Sequence, residues 1–320
     1  MVHYKNIEEV SCSLLLKEYH CIFTTKHNDM SNLLRSYTKI LSILHDIEPK
    51  DNFFMHRRRP KLSDKQLLAL SFAAEALGID SERYLFRRLP GELSDKIERS
   101  VYNRRRRNLA SKLELFRQAI AEKIVPQESY HVIDSMPLEL CKFSRARRSR
   151  ICREFTESSP SYGFCAAQNM HYFGYKIHAV CTVQGVIKSI DISKACDHDI
   201  HYLDHVKEQF SDCVLIGDKG YLSQAYQHDL FATRQIKLET PMRRNQANFK
   251  PFNPVLRKAR KRIETLFSQL CDQFMIRRNY AKSFQGLSTR VLTKITALTV
   301  IQRINQMNGR DLNNIKIVVA

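Results

Sequence analysis

The chain has 320 residues, 43% of them hydrophobic, which is enough for a sizeable core and for two domains. Its 52 Lys and Arg residues outnumber its 33 Asp and Glu residues, so the formal net charge is +19. A charge this high argues against an ordinary metabolic enzyme and favours a polyanionic partner, most commonly nucleic acid. A basic surface that only aids solubility is the alternative interpretation, and the clustering of the basic residues argues against it.

The first third of the chain has the hydrophobic spacing of helices. A helical period covers residues 30–47, and Ser63 with Gln66 forms a capping-box signature in front of a second helix. Shorter helices are predicted from about Ser81 and from about Ser94. Charged residues interrupt the N-terminal segment before any long apolar run, so we expect no signal peptide.

The last of these helices leads into four consecutive arginines, Arg104 to Arg107. Several short helices that end on a basic one are typical of helix-turn-helix DNA-binding domains, which makes Arg104 and Arg105 candidate DNA contacts. A solvated basic helix face would give the same pattern, so both interpretations stay open.

From residue 130 onward the sequence changes to short β-prone runs and then to long helices. Strands are predicted over 130–133, 175–183, 186–192, 213–216 and 236–239, and helices over about 253–274 and 288–308. This order predicts a mixed α/β fold, a sheet flanked by helices and preceded by a helical N-terminal domain. We divide the chain into a DNA-binding domain (1–125), a catalytic domain (126–310) and a C-terminal tail (311–320). The basic stretch 142–153 is predicted to be an exposed loop.

The nine cysteines are odd in number, include no C-x-x-C pair and lie mostly within apolar runs. This pattern indicates reduced thiols and argues against a disulfide framework or a zinc site. No run approaches the ~20 apolar residues of a membrane span. We therefore expect a soluble, cytoplasmic protein with no membrane partner.

Three carboxylates stand out by position. Asp134 and Asp218 each end a predicted strand, where ligands of sheet proteins collect. Glu264 lies at the edge of a helical apolar stripe that runs from Ile263 to Phe274. Converging carboxylates repel one another unless a cation lies between them, and oxygen ligands suit Mg²⁺. The three residues are therefore a predicted metal site, although each one alone would be interpreted as a surface charge or a helix cap.

Such a site suits phosphodiester chemistry, because two metal ions about 4 Å apart can serve both the attacking and the leaving oxygen. The segment Asp197-His198-Asp199 competes as a metal site, but no strand enters it directly and we rank it lower. His131 and His178 fall on strand patterns and are interpreted as core histidines.

Five motifs contain or separate these carboxylates in chain order. They are Ile133-Asp134-Ser135-Met136-Pro137, Phe173-Gly174-Tyr175-Lys176-Ile177-His178, Ile216-Gly217-Asp218-Lys219-Gly220-Tyr221, Thr240-Pro241-Met242-Arg243-Arg244-Asn245 and Arg262-Ile263-Glu264-Thr265. They resemble the motifs of DDE transposases of bacterial insertion sequences, most closely insertion-sequence family 982. The third motif is the most specific, and the resemblance covers about residues 130–285.

The resemblance implies an RNase H-like fold in which Asp134, Asp218 and Glu264 are the catalytic, metal-binding triad. It implies two Mg²⁺ ions, for which Mn²⁺ can substitute. It also implies cleavage of double-stranded DNA at element ends and attack of the freed 3′ hydroxyl on target DNA. A homo-oligomer on DNA, associated with the bacterial nucleoid, follows from the same resemblance.

Basic residues around the predicted triad are candidate DNA contacts, which would position DNA without reading its sequence. They are Lys219, Arg243, Arg244, Arg257, Lys258, Arg260 and Lys261. Arg260 matches an arginine that contacts DNA phosphate in related enzymes. Relatives usually carry Lys or Arg seven residues after the glutamate, where this chain has Cys271, and tyrosine seven residues before it, where it has Arg257. A neutral thiol does not bind phosphate, so positioning of the strand end depends on whether Arg277 or Lys258 substitutes.

Other functions remain open. A DNA- or RNA-binding protein without catalysis, such as a decayed transposase, would be indifferent to metal. An RNase H-like nuclease would hydrolyse DNA without joining strands. A basic structural protein of a nucleoprotein particle would not need acidic residues at strand ends.

Overall fold

A computed structural model describes residues 31–55, 57–245 and 249–315. The N-terminal helices are α1 (31–47), α2 (Asp64–Ala76), α3 (Glu82–Arg88), α4 (Gly91–Ser94), α5 (Arg99–Asn108) and α6 (Ala110–Ile124). The remaining elements are β1 (Tyr130–Glu139), β2 (Ser161–Cys165), β3 (Met170–Thr182), β4 (Ile187–Lys194), α7 (Tyr202–Gln209), β5 (Val214–Ile216), α8 (Gln224–Arg234), β6 (Lys237–Glu239), α9 (Pro254–Asp272) and α10 (Phe284–Met307).

The strands form one mixed sheet in the order β2-β3-β1-β5-β6, and β4 pairs with β3 on the edge opposite β1. β3 is antiparallel to β1, β2 and β4, whereas β1, β5 and β6 are parallel to one another. Parallel neighbours need crossover connections, which α7 and α8 supply here.

Helices cover both faces of the sheet. Val132 and Ile133 are consecutive residues of β1 that belong to two different buried clusters, as expected where successive side chains point to opposite faces. The cluster of Val132 also contains residues of α1, α2, α6, α9 and α10, and the cluster of Ile133 contains residues of α7 and α8. The larger core is thus continuous from the N-terminal helices to the sheet.

Helix α10 is buried along most of its length, and its buried charges are paired. Lys294 Nζ lies 2.7 Å from Glu75 Oε2 and 2.8 Å from Asp80 Oδ1, and Arg290 Nη2 lies 2.6 Å from Asp80 Oδ1. These contacts join α10 to α2 and to the segment after it. No helix in the described part of the chain is both long and apolar enough to cross a membrane.

Most predicted elements are confirmed with small shifts in their bounds. Ser63 forms the capping box of α2, Ser81 caps α3, and Gly78 has a φ of +68° just after α2. The predicted helix that leads into the four arginines is present, but its predicted start at about Ser94 is wrong, because α4 ends at Ser94 and α5 begins at Arg99. The predicted helix start at 30, the N-terminal segment without a signal peptide and residues 316–320 of the predicted tail lie outside the described residues.

The strand predicted to end at Asp134 is longer than expected. β1 continues to Glu139 because β3 pairs with it over that whole length. The parallel partner β5, in contrast, pairs only as far as Val132. Asp134 therefore lies within a strand, where one edge of β1 has just become open, and Pro137 is compatible with such an open edge because it donates no backbone hydrogen bond.

Candidate active site

Asp134 and Asp218 lie at the same level of two neighbouring strands. Val132 of β1 pairs in register with Ile216 of β5, and each aspartate follows two residues later. Because parallel neighbours are about 4.8 Å apart, this register brings the two carboxylates side by side. Asp218 is held by its own turn, since its Oδ1 accepts a hydrogen bond from the Gly220 N–H at 2.8 Å.

Glu264 approaches the same strand from helix α9. Asn253 caps the helix, Pro254 occupies its first turn, and the buried stripe of Ile263, Leu266, Phe267 and Leu270 directs one face inward. That stripe packs α9 against β1. The Glu264 side chain lies outside the stripe and is 50% exposed, which confirms the predicted position at its edge.

Arg260 links the two acidic elements. Its Nη2 lies 2.9 Å from Glu264 Oε1, one helical turn away, and its Nη1 lies 3.7 Å from Asp134 Oδ2. The guanidinium is therefore next to a carboxylate on the sheet and to another on the helix. Its positive charge offsets part of the repulsion between these acids.

The pKa of Asp134 reflects its burial and the charged groups around it. The pKa of this carboxyl is raised to about 7, chiefly by burial; the negative charges of Asp218 and Glu264 also raise it, whereas the Ser135 N–H and Arg260 lower it. All three predicted carboxylates thus lie within electrostatic range of one another. A cation in their midst would favour their ionised forms.

Asp199, from the competing segment Asp197-His198-Asp199, lies beside the site. A Cβ added to Gly220 would be 2.9 Å from Asp218 Oδ1 and 3.7 Å from Asp199 Oδ2, so glycine fits between the two carboxylates. Asp199 Oδ1 accepts a hydrogen bond from Lys176 Nζ at 2.9 Å, which compensates its charge. The sequence feature that could have indicated this position of Asp199 is Lys176, which lies on β3 and faces this segment.

Tyr221 lies beneath these acids, fully buried. Burial raises the pKa of its hydroxyl well above the usual value, and Asp199, Asp134 and Asp218 add to the shift. Its oxygen has no hydrogen-bond partner in the described part of the protein. The motif from Ile216 to Tyr221 thus places a large buried ring next to the carboxylates and a glycine between two of them.

The residues fit a divalent cation by their chemistry. Their donors are carboxylate oxygens, which hard cations such as Mg²⁺ prefer. Among the described residues no three His, Cys, Asp or Glu side chains are already arranged to hold one ion together. Arg260 lies between two of the carboxylates, so its guanidinium must move before both can bind the same ion.

The predicted DNA contacts differ in their exposure and in whether they form ion pairs within the protein. Lys219, Arg244, Arg257, Lys258 and Lys261 have exposed side chains without ion pairs to any described residue, and Arg243 is also exposed. On α5, Arg104 is exposed. Arg105 instead has an internal role, because its guanidinium lies 2.6 Å from Asp64 Oδ1 and donates to the Leu62 carbonyl at 2.7 Å.

Cys271 lies two turns after Glu264 on α9, and a basic side chain is next to it. Burial raises the pKa of the Cys271 thiol, and the nearby Arg277 guanidinium opposes that shift. Arg277 follows the end of α9, so it reaches this position from the next segment. Of the two predicted substitutes for a helix lysine, Arg277 therefore contacts the position itself.

Two histidines near the site belong to the core, as predicted. His178 is buried on β3 and its Nε2 lies 2.8 Å from Ser193 Oγ. His131 is buried on β1 against the ring of Phe210. Burial lowers the pKa of each histidine to about 4. Both are therefore neutral at pH 7.

Residues 126–300 match the family described as "Transposase DDE domain". The match covers more than half of the chain and contains all three predicted carboxylates. No curated protein and no solved structure shows significant similarity to the chain.

Proposed function

The chain belongs to the transposase DDE domain family, and on that basis we propose that it cuts the ends of a bacterial insertion sequence and joins them to target DNA. The observation that carries the proposal is the register of β1 and β5, which brings Asp134 level with Asp218. Glu264 faces them from α9, across Arg260. We propose an RNase H-like fold, on the basis of this mixed sheet and its flanking helices, and membership of insertion-sequence family 982.

Asp134, Asp218 and Glu264 are the proposed ligands of two Mg²⁺ ions, which Mn²⁺ can replace. When bound, such ions activate an attacking oxygen and stabilise the leaving oxygen of a phosphodiester. The half-exposed Glu264 lies on the solvent side of the site, where DNA can approach. Asp134 is largely covered and held by the Ser135 N–H.

Arg260 has two proposed roles in this mechanism. In the free protein it compensates the carboxylates, and with DNA bound it contacts a phosphate at the cleavage position. The exposed cations Lys219, Arg244, Arg257, Lys258 and Lys261, together with Arg243, position the flanking backbone. We propose a homo-oligomer on DNA, with residues 1–125 as the DNA-binding domain and nucleoid association as its consequence.

The test is cleavage of labelled duplex DNA that carries the ends of the element, with Mg²⁺, with Mn²⁺ and with chelator. Asp218→Asn and Glu264→Gln keep the shape of each side chain but remove its charge, and we expect metal-dependent nicking to fall at least about a hundredfold. Glu208→Gln on α7 is the matched control, since Glu208 is exposed and has no ion pair with a described residue.

The products distinguish the remaining alternatives. Joined strands identify a transposase, whereas nicks without joined strands identify a nuclease, which Cys271 at the usual basic position would favour. DNA binding without cleavage, equal in wild type and Asp218→Asn, would refute the catalytic proposal and leave a DNA-binding protein.

A further inference from the structure

A row of aromatic rings lies on edge strand β2 and its neighbour β3. Tyr162 and Phe164 are two residues apart on β2, so they share one face of the sheet. They pair across the strands with Phe173 and His171 of β3. Phe143, from the 3-10 turn Phe143–Arg148, lies over the same face. We call Phe143, Tyr162, Phe164 and His171 the ring surface.

The rings contact one another in sequence. Phe143 lies 5.7 Å from Tyr162 and 6.2 Å from His171, measured between ring centroids. Phe164 lies 4.8 Å from His171 on the other side. The ring surface is therefore a continuous aromatic strip, and Tyr162 packs on the same face against the buried ring of Phe173, 5.0 Å away.

Half of this aromatic area faces solvent. The side chains of Phe143, Tyr162 and Phe164 are 50%, 49% and 49% exposed. A core would cover such rings, and single exposed aromatics are common, but a contiguous strip of them marks an interaction site.

Basic residues accompany the strip, and the Arg153 guanidinium lies 5.8 Å from the Phe173 ring centroid. The stretch 142–153, predicted as an exposed loop, contains six cations and no acid: Lys142, Arg145, Arg147, Arg148, Arg150 and Arg153. All six are exposed, and none forms an ion pair with a residue of the described ranges. Of the acids that follow, Glu154 accepts a hydrogen bond from the Phe284 backbone N–H. The stretch therefore carries six exposed cations that have no ion-pair partner among the described residues.

The ring surface is separate from the carboxylate site. On β3, His171 lies eight residues before Ala179, the cross-strand partner of Asp134. At ~3.4 Å per residue, eight residues correspond to about 27 Å along β3. One phosphate cannot contact both.

We propose that the ring surface and its arginines bind a nucleic-acid strand with unpaired bases. Bases stack on Phe143, Tyr162 and Phe164, because every base presents a π-face to an aromatic ring. Arg147, Arg148 and their neighbours contact the phosphates between those bases. The site shares only the nucleic-acid substrate class with the function proposed above.

A protein partner is the competing occupant, since β2 is an edge strand that a second copy could extend. The charge favours nucleic acid, because six unpaired cations on each copy would repel one another across a symmetric interface. The exposed aromatics alone would not distinguish the two.

The test compares the full-length chain with Phe143→Ala/Phe164→Ala, using a fluorescent single-stranded oligonucleotide and a duplex of the same sequence, in chelator. We expect the single-strand Kd to rise about tenfold or more, because each stacked base contributes ~1–3 kcal/mol, and the duplex Kd to change less than about threefold. Arg147→Ala/Arg148→Ala should reduce the slope of log K against log salt by about 1.4 for the single strand.

Three controls make the result decisive. Phe231→Ala/Arg234→Ala removes an exposed ring and an exposed arginine from α8 and should leave single-strand binding unchanged. Phe143→Trp keeps a stacking ring and should retain the affinity. Equal single-strand binding by wild type and Phe143→Ala/Phe164→Ala, or loss of self-association alone in sedimentation, would overturn the inference. Metal-dependent cleavage of duplex ends in the same preparations shows separately whether the proposed function holds.

Discussion

Arg260 Nη2 lies 2.9 Å from Glu264 Oε1, so the helix that carries one acidic residue also carries the cation that neutralises it. The same guanidinium reaches toward Asp134 on the sheet. If the proposed metal ions bind these carboxylates, Arg260 must compete with them. A DNA phosphate would offer the arginine another partner and so couple DNA binding to metal binding.

Arg260→Ala should bind Mn²⁺ more tightly than wild type when no DNA is present. The gain should be up to about fivefold, because a partly exposed ion pair contributes ~0–1 kcal/mol. Titration calorimetry with Mn²⁺ measures it directly. Arg257→Ala is the matched control on the same helix and should leave Mn²⁺ affinity unchanged; an Arg260→Ala affinity no higher than that of the control contradicts the competition.

Cleavage by Arg260→Ala should move in the opposite direction. The variant loses a proposed phosphate contact, so the rate on element-end DNA should fall by about tenfold or more even at saturating metal. Tighter metal binding combined with slower cleavage distinguishes this role from general damage to the fold. Parallel changes in both quantities would refute it.

Arg277 should carry the phosphate-binding role that a helix lysine has in relatives. Because Arg277 lies beside Cys271, we expect Arg277→Ala to lower strand transfer by about tenfold, as loss of a charge-assisted contact of ~1.5 kcal/mol would. Cys271→Lys in that background should restore it, and Cys271→Lys alone should raise it. Joined products on a gel are the readout, and failure of the lysine to restore them rules out the substitution.

The sequence predicts local features of the fold correctly, but it does not predict those that depend on residues far apart in the chain. The capping box at Ser63 and the stripe that places Glu264 at its edge depend on residues within two or three turns, which the sequence shows directly. The length of β1 depends on β3, which begins at Met170, so the strand was predicted to end too early at Asp134. The sequence motifs identify Asp134 and Asp218 as candidates. Only the register between β1 and β5 shows that the two residues lie side by side on neighbouring strands.

Charge alone also misled at single residues. Arg105 stands in an arginine run, yet Asp64 binds it, forty-one positions away in the chain. Asp199 was ranked lower because no strand leads into it, whereas folding brings it to Gly220 and Lys176. Tertiary packing determines which cation pairs with which acid, and no local sequence pattern predicts these pairs.

Lys294 should be essential for stability. It is buried with Glu75 and Asp80 between α10 and α2, so Lys294→Met removes the ion-pair partner of the buried Glu75 and should cost about 3–5 kcal/mol. Urea unfolding measures the loss. Glu75→Leu in the Lys294→Met background should recover part of it, since an apolar pair can replace a buried ion pair.

The control for Lys294 is an exposed ion pair. Glu122 pairs with Lys188 at 2.8 Å, but its side chain is 60% exposed, and Glu122→Gln should cost less than about 1 kcal/mol. Equal losses for Glu122→Gln and Lys294→Met would contradict the assignment of α10 as the buried, ion-paired helix.

His131 should make the protein less stable in acid. Burial lowers its pKa from 6.5 to about 4 in the folded state, and Lys188 adds to that shift. As the pH falls below 6.5, His131 therefore binds a proton in the unfolded chain but not in the folded chain. The equilibrium then moves toward unfolding. Between pH 7 and 5 this one histidine should remove about 2 kcal/mol from the free energy of unfolding.

The His131→Phe variant isolates that contribution. Phenylalanine keeps the ring against Phe210 and cannot titrate, so the free energy of unfolding of the variant should fall less steeply than that of wild type from pH 7 to 5. Urea midpoints at each pH give both curves, and comparing slopes removes any constant difference in stability. Because carboxylates elsewhere titrate equally in both proteins, parallel curves would mean that His131 is protonated in the folded state and is not enclosed by the core.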